Sequence, residues 1–512
     1  MTSSLRRRKR AREALLEHGT DTVRQWPVPS LVLHIFGITL GVSGVGMVVS
    51  CAVELIDGGS EATVLLGSGL VFSAVGGVLW RLTEVPRRIE LLDVFSSVAM
   101  AWIGLTIAGA TPYLLSGTIT NVDDALFEAV SGFTTTGATV LRPIEGVSKG
   151  ILFWRAITQW IGGMGVIVLV VAVLPTVGSG GMDLLQAEAP GPTGERLTPR
   201  VRHTARNLWA VYVGLTIVYA IAYIVAGMSI YDGVYHAFTT LSTGGFSPYN
   251  GSLGHFDSAA IEWIAISGMF IAGGSFTLWF RALRGNMTPI LHSAELRLYV
   301  AIVIGASALL FFASDSGLSG HDGIRSAVFA VVTIVSTTGY VTADFGSWSE
   351  SAQTLLLMLM PLGAMAGSTA GGVKLVRLLA VASYAHRATL HQLHPRMVRP
   401  VRVGKVVLDD EIASRVLGYL ALALAAFGGG AVLMAFSGAD LLTAFSGAAT
   451  TFGNVGPGLG AIGPTSDFLS MPRLGRLVGI GLMVLGRLEI YPVLLALVAL
   501  PLPRFARSRL RR

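Results

Sequence analysis

A chain of 512 residues that is 52% hydrophobic and only 13% charged falls well short of the ~25% charge of a soluble globular protein. Its apolar residues come in uninterrupted blocks near the ~20 residues a bilayer requires, which excludes a soluble protein with a greasy core and predicts a polytopic membrane protein. The net charge of +7 reads as cytosolic loop bias rather than nucleic-acid binding, and the lone Cys51 allows neither an internal disulfide nor a Cys/His zinc site.

Residues 1–29 open with Ser4-Leu5-Arg6-Arg7-Arg8-Lys9-Arg10. This basic stretch lies too far from the first apolar run for a compact cleavable signal, so it reads as a retained cytosolic tail. Apolar runs at 30–54 and 63–81 place two transmembrane helices within 30–91. From 92 onward one unit recurs: apolar span, Asp, short apolar segment, Gly-containing loop, apolar span. Repeat 1 (92–180) has spans at 92–115 and 152–175 around a short segment at 124–136. After a polar loop at 176–207, repeat 2 (208–284) has spans at 208–228 and 258–281 around 232–243. Repeat 3 (295–383) has spans at 295–314 and 352–383 around 322–337. A cytosolic loop, 384–411, precedes repeat 4 (412–499), with spans at 412–436 and 472–499 around 440–452. Residues 500–512 form a basic cytosolic tail. The period of roughly a hundred residues exceeds that of solenoid repeats. The short segments cannot cross a bilayer and read as re-entrant half-helices. The expected fold is all-α: four M1–P-loop–M2 repeats in pseudo-fourfold arrangement around one pore, plus two extra N-terminal transmembrane helices.

Ten spans put both termini on one side. With the N-terminus inside, the inner segments hold Arg6 to Arg12, Arg87, Arg88, Arg196 to Arg206, Arg281, Arg284, Arg387 to Lys405 and Arg504 to Arg512. The outer segments hold only Arg142, Lys149, Arg325, Arg473 and Arg476, and the loop at 229–257 has neither Lys nor Arg. This bias orients the chain by the positive-inside rule and sets all four half-helices on the outer side.

Each half-helix ends alike: Thr-Thr-Thr-Gly-Ala at 134–138, Ser-Thr-Gly-Gly-Phe at 242–246, Ser-Thr-Thr-Gly-Tyr at 336–340 and Gly-Asn-Val-Gly-Pro at 453–457. Irregular Gly-rich backbone at membrane depth is tolerated only inside protein or along a water-filled path. Backbone carbonyls replace the water shell of a potassium ion as neutral dipoles, and aligning several of them needs angles that Gly tolerates. The expected filter glycines are Gly137, Gly245, Gly339 and Gly456. Thr135, Thr136, Thr243, Gly244, Thr338 and Val455 supply further oxygens. The apolar register selects Gly245 over Gly244, while the fourth repeat fits this register less well. The C-terminal ends of the half-helices converge and favour a cation, and Asp124, Asp232, Asp322 and Asp440 near the outer ends suit N-caps.

These residues resemble the Trk/Ktr/HKT superfamily of potassium transporters, most closely the TrkH type. The resemblance covers nearly the whole chain. It rests on Phe133-Thr134-Thr135-Thr136-Gly137-Ala138-Thr139, on Ser242-Thr243-Gly244-Gly245-Phe246-Ser247, on Gly367 to Lys374 and on Gly481 to Ile490. Leu197-Thr198-Pro199-Arg200, His394-Pro395-Arg396 and the two extra N-terminal helices also fit the TrkH type. The resemblance implies a homodimer whose protomers each hold a pore, in the bacterial cytoplasmic membrane. It further implies a cytosolic TrkA-type ring that binds a nucleotide, ATP/ADP or NAD, with no cofactor in this chain itself. Some plant relatives have Ser at the first filter glycine and conduct sodium. Gly137 here favours potassium.

The span 352–383 is too long for one straight crossing, and Gly367-Ser368-Thr369-Ala370-Gly371-Gly372 interrupts it. Such a break either unwinds beneath the filter or packs helices closely through small residues. The resemblance makes it the intramembrane gating loop. Arg487 sits mid-span, where a charge costs at least about 2.5–3.5 kcal/mol and faces water or a partner. It is expected below the filter, repelling cations and closing the path with the loop; the alternative is an ion pair with an acid such as Glu489. Lys374 and Arg377 read as membrane anchors, and His386, His391 and His394 as solvated loop residues. Two functions follow: potassium uptake through a carbonyl filter, or a secondary carrier for another cation or solute. Carriers with inverted repeats alternate repeat orientation; here every half-helix lies outside, which favours the pore. No nucleophile–base set, phosphate loop or metal cluster suggests an enzyme.

Overall fold

The computed structural model describes residues 28–86, 91–172, 199–313, 320–404, 406–488 and 490–499. The expected basic tail up to residue 27, most of the 176–207 loop and the 500–512 tail lie outside the described residues. The chain is helical apart from two small two-stranded pairings, Val28–Pro29 with Thr83–Glu84 and the hairpin Val401–Val403 with Val406–Leu408.

Two antiparallel helices, α1 (Leu31–Asp57) and α2 (Ala62–Leu82), come first. Ser30 caps α1 through the Leu33 N–H, and Gly58, at φ 74°, ends it in the left-handed conformation that favours glycine. The first repeat follows as α3 (Leu91–Leu115), α4 (Val122–Phe133) and α5 (Lys149–Ala172). The second is α6 (Pro199–Val225), α7 (Ile230–Leu241), α8 (Ala259–Gly273) and α9 (Phe276–Leu283). The third is α10 (Ala294–Ala313), α11 (Gly320–Val335), α12 (Glu350–Leu359) and α13 (Leu375–Leu393). The fourth is α14 (Asp410–Phe436), α15 (Leu441–Gly453), α16 (Arg473–Leu488) and α17 (Ile490–Ala499).

Among the described residues six helices, α1, α2, α3, α6, α10 and α14, are long and apolar enough to cross a membrane. Three of the ten expected spans are not single described helices. The expected span 352–383 is α12 and α13 with the Gly-rich segment unwound between them. The span 472–499 is described as α16 and α17, with Glu489 outside the described residues. The span 258–281, expected to be continuous, is α8 and α9 meeting at a bend of 103°. The break is built rather than frayed. Trp279 Nε1 donates to the Ile271 carbonyl at 2.8 Å beside the Gly274 N–H at 3.0 Å, and Phe276 N–H reaches Gly367 O at 3.0 Å. A Cβ on Gly274 would overlap the Trp279 ring.

The helices α4, α7, α11 and α15 have 12, 12, 16 and 13 residues. At 1.5 Å per residue they reach roughly 18–24 Å, short of a ~30 Å hydrocarbon core. Each exposes the start of its first turn and is largely buried over the rest of its length inside a jacket of longer helices, apart from an exposed Ile324 and Phe445. Asp440 caps α15, and its carboxyl is held below the usual range by the hydroxyl and N–H of Thr443. The other three expected caps lie at the third helical residue instead. Asn121 and Ser229 occupy the cap positions of α4 and α7, while Asp124, Asp232 and Asp322 fall in first turns, where they complement the helix dipole. Among the described residues the apolar core has two large lobes, one mainly from residues 208–375 and the other mainly from residues 40–157 and 419–490, and a small third one around the 401–408 hairpin.

Candidate functional site: four glycine-bearing segments above a loop

The end of each half-helix repeats one backbone pattern. Thr135 and Gly137 have φ 54° and 82°, Thr243 and Gly245 56° and 74°, Thr337 and Gly339 57° and 80°, and Asn454 and Gly456 56° and 110°. Left-handed residues thus alternate with one residue between them in all four segments. The N–H of that middle residue folds back onto its own half-helix: Thr136 to Ser131 O at 2.9 Å, Gly244 to Thr239 O at 2.9 Å, Thr338 to Thr333 O at 2.8 Å and Val455 to Thr450 O at 2.9 Å. This register agrees with Gly245 over Gly244. It also aligns the fourth segment, whose apolar pattern was the weakest, at Gly456.

The segments meet in cyclic order. A Cβ built on Gly137 would come within 3.0 Å of Gly244 O, one on Gly245 of Thr338 O, one on Gly339 of Val455 O and one on Gly456 of Thr136 O. Each glycine therefore lies against a carbonyl of the next segment, and the fourth closes onto the first. At each of these positions positive φ favours glycine, and the neighbouring carbonyl leaves no room for a Cβ. All four glycines line one open cavity of about 240 Å³, with Arg142, Tyr249, Asn250 and Asp467 at its rim.

Buried charge braces the first two segments. Glu128 of α4 and Arg155 of α5 form a 2.8 Å ion pair with both side chains shielded from solvent. Glu128 accepts the Val140 N–H at 2.9 Å, and Arg155 donates to Ser247 O at 3.3 Å. The guanidinium also stacks 3.8 Å from the centre of the Phe246 ring. Sequence reasoning passed over this pair, although a charge within each of two buried segments is a readable signal.

Gly367 to Gly372 lie directly beneath. The loop is zipped at its neck, where Gly363 N–H donates to Val373 O at 2.9 Å and Val373 N–H to Pro361 O at 3.0 Å. Its tip hangs from the second and third half-helix ends. Gly371 N–H donates to Thr337 Oγ1 at 2.9 Å, and Thr369 Oγ1 donates to Leu241 O at 3.0 Å. Lys374 Nζ donates to Ala370 O and Gly371 O. Ser368 Oγ turns back onto Met365 O at 2.5 Å. Arg487, 4% exposed, donates to Thr369 O and, at 3.4 Å, to Gly162 O. Its guanidinium thus grips the loop tip; the alternative partner Glu489 is outside the described residues.

Three further residues join the site that the sequence did not single out. Asn454 Nδ2 donates to Thr136 Oγ1 at 2.9 Å and to Met483 O at 3.0 Å, joining two segments to α16. Glu295 of α10 accepts both the Ala366 and Val376 N–H groups, at 2.8 and 3.0 Å. Gln159 of α5 reaches the second segment. Asn454 was readable as the non-glycine residue best suited to left-handed backbone; Glu295 and Gln159 carry no local signal. His386, His391 and His394 lie on the surface, and among the described residues no group of three or more His, Cys, Asp or Glu stands together.

Half-helices buried in a multi-pass helical jacket, above an unwound loop, define a membrane transport protein rather than an enzyme. The model for the TrkH family, described as cation transport proteins, matches residues 62–312 and 316–508, and the chain belongs to that family. The Trk system potassium uptake protein TrkH of Halomonas elongata is 37% identical over 474 residues, which cover 90% of this chain and 97% of that protein. The protein of the same name from Escherichia coli is 33% identical over 471 residues, covering 90% of this chain and 97% of its own. The crystal structure of the potassium transporter TrkH from Vibrio parahaemolyticus superposes with a TM-score of 0.84 at 33% identity, covering 93% of this chain and 99% of that one.

Proposed function

We propose that the chain carries potassium into the cell through a carbonyl filter on the axis of four pseudo-equivalent repeats, 92–180, 208–284, 295–383 and 412–499. The observation that carries this reading is the cyclic contact of Gly137, Gly245, Gly339 and Gly456, each with the next segment's carbonyl, around one cavity. The names of the relatives, potassium uptake proteins, support the choice of ion. The carbonyls of Thr135 to Gly137, Thr243 to Gly245, Thr338, Gly339, Val455 and Gly456 replace the ion's water shell. The half-helix C-termini add negative potential below. Membrane potential drives the ion inward with about 2.3 kcal/mol per 100 mV.

The Gly367–Gly372 loop and Arg487 form the gate in this reading. The loop occupies the path, and Arg487 both repels cations and ties down Thr369. Both termini face the cytosol of a bacterial cell, the polar 384–411 segment faces a nucleotide-binding TrkA-type ring, and two copies assemble as a homodimer with one pore each.

The test is rubidium uptake into proteoliposomes holding the purified chain, with potassium and sodium as competitors. Wild type takes up rubidium, potassium blocks it and sodium does not; Gly137→Ser loosens that preference; Arg487→Ala raises basal leak. Sodium competing as well as potassium in wild type would overturn the filter, and an unchanged leak in Arg487→Ala would overturn the gate.

A further inference from the structure

The four carbonyls that face the filter glycines are not equivalent. Gly244 O accepts a 2.7 Å hydrogen bond from Gln159 Nε2, while Gln159 Oε1 accepts the Phe246 N–H at 3.1 Å. Partners of opposite sense on the two sides of Gly245 fix which way the amide points. Gln159 is fully buried and reaches across from the first repeat into the second. Among the described residues no donor reaches the carbonyls of Thr136, Thr338 or Val455, which hold the same position in the other segments. A second observation agrees. A Cβ on Gly244 would overlap the Gln159 amide. The other segments carry Thr, Thr and Val there, so the extra glycine of Ser-Thr-Gly-Gly-Phe is the space that Gln159 occupies.

We propose that Gln159 is a specificity-determining residue of the filter, acting by holding the Gly244 carbonyl; the proposal rests on the carbonyl-filter reading above. The amide does two things to that oxygen. It fixes the oxygen's position, and it places a partly positive hydrogen beside a ligand of the ion, which weakens the field the ion feels. A fixed, weaker-field oxygen favours the larger, more loosely hydrated cation. Without the amide the oxygen can follow a smaller ion inward and binds it more strongly. Size and field strength, the two accounts of potassium selectivity, therefore predict the same direction.

Two variants separate this from a packing role. Gln159→Met fills similar space without a donor. Gln159→Leu removes both the donor to Gly244 and the acceptor for Phe246 without adding a polar group. In the rubidium assay both lower the preference for potassium over sodium about two- to tenfold, the net worth of one hydrogen bond. An unchanged ratio in both, with only total flux or melting temperature reduced, would overturn the assignment. If one variant does not fold, the other decides. Gly137→Ser is the control: a ratio that moves in Gly137→Ser but not in the Gln159 variants rejects Gln159 alone, while no movement in any variant rejects the filter itself.

Discussion

At the scale of single residues, the site depends on backbone that most side chains resist. Asn454 holds φ 56° where the first three segments place Thr. Left-handed backbone costs most residues about 1–2 kcal/mol, and Asn visits it more readily through its short polar side chain. Its amide also makes two buried hydrogen bonds, each worth about 0.5–1.5 kcal/mol. Asn454→Ala therefore destabilises the detergent-purified protein by about 2–4 kcal/mol, seen as a lower melting temperature. Asn454→Gly relieves the backbone but not the lost bonds, and melts between the two. An alanine variant that melts with wild type would reject this account. Gly137, Gly245, Gly339 and Gly456 were legible in the sequence because a glycine recurs at a matched position after each short apolar segment. Asn454 carries a weaker signal, because Asn adopts left-handed backbone less freely than glycine. Gln159 was invisible: its partners lie 85 and 87 residues away.

At the scale of elements, local signals were sound and long-range ones were not. The half-helices were placed within a few residues because an apolar segment too short to span, followed by glycine, leaves few alternatives. The glycines of 367–372 left open an unwound stretch or close helix packing, and the resemblance favoured the first. The break between α8 and α9 was not, although Ala272-Gly273-Gly274-Ser275 marked it. Its cause lies in the loop itself. Met365 N–H donates to Gly273 O and Phe276 N–H to Gly367 O, both at 3.0 Å, so the two irregular stretches satisfy each other's backbone. Glu295 then sets how firmly the loop is held, because one carboxylate oxygen binds N–H groups on both of its shoulders. Hydrogen bonds to a charged group are worth about 1.5–3 kcal/mol. Glu295→Ala releases both shoulders and raises basal rubidium leak roughly tenfold, with the potassium-to-sodium ratio unchanged. Glu295→Gln keeps an acceptor and leaks less than the alanine variant. A tight Glu295→Ala protein would mean that the neck hydrogen bonds hold the loop unaided.

At the scale of the whole molecule, the four glycine-bearing segments meet in cyclic order, so the last must close on the first. That seam joins residues some 350 positions apart, so loop-closure entropy opposes it more than any other contact in the ring. Charge marks it. Arg476 pairs with Asp124 at 2.8 Å, Arg473 with Asp123 at 2.7 Å and Arg142 with Asp467 at 3.4 Å. Phe468 N–H adds a hydrogen bond to Thr139 O at 2.9 Å, just past the first filter glycine. The pairs are unequal. Arg476 and Asp124 are 14% and 5% exposed, whereas Arg473 is 73% exposed. Removing one partner of a buried pair strands the other and costs about 3–5 kcal/mol; an exposed pair is worth up to about 1 kcal/mol and is screened by salt. Arg476→Ala therefore lowers the melting temperature markedly at any ionic strength, while Arg473→Ala has a small effect that vanishes in high salt. Because Asp124 sits in the first turn of α4, whose far end carries the first filter segment, Arg476→Ala also widens sodium access in the rubidium assay. Equal, salt-sensitive losses in the two variants would instead mean that the seam is held by its apolar contacts, Phe127 against Phe468 at 5.2 Å among them, and that the arginines only decorate its outer rim.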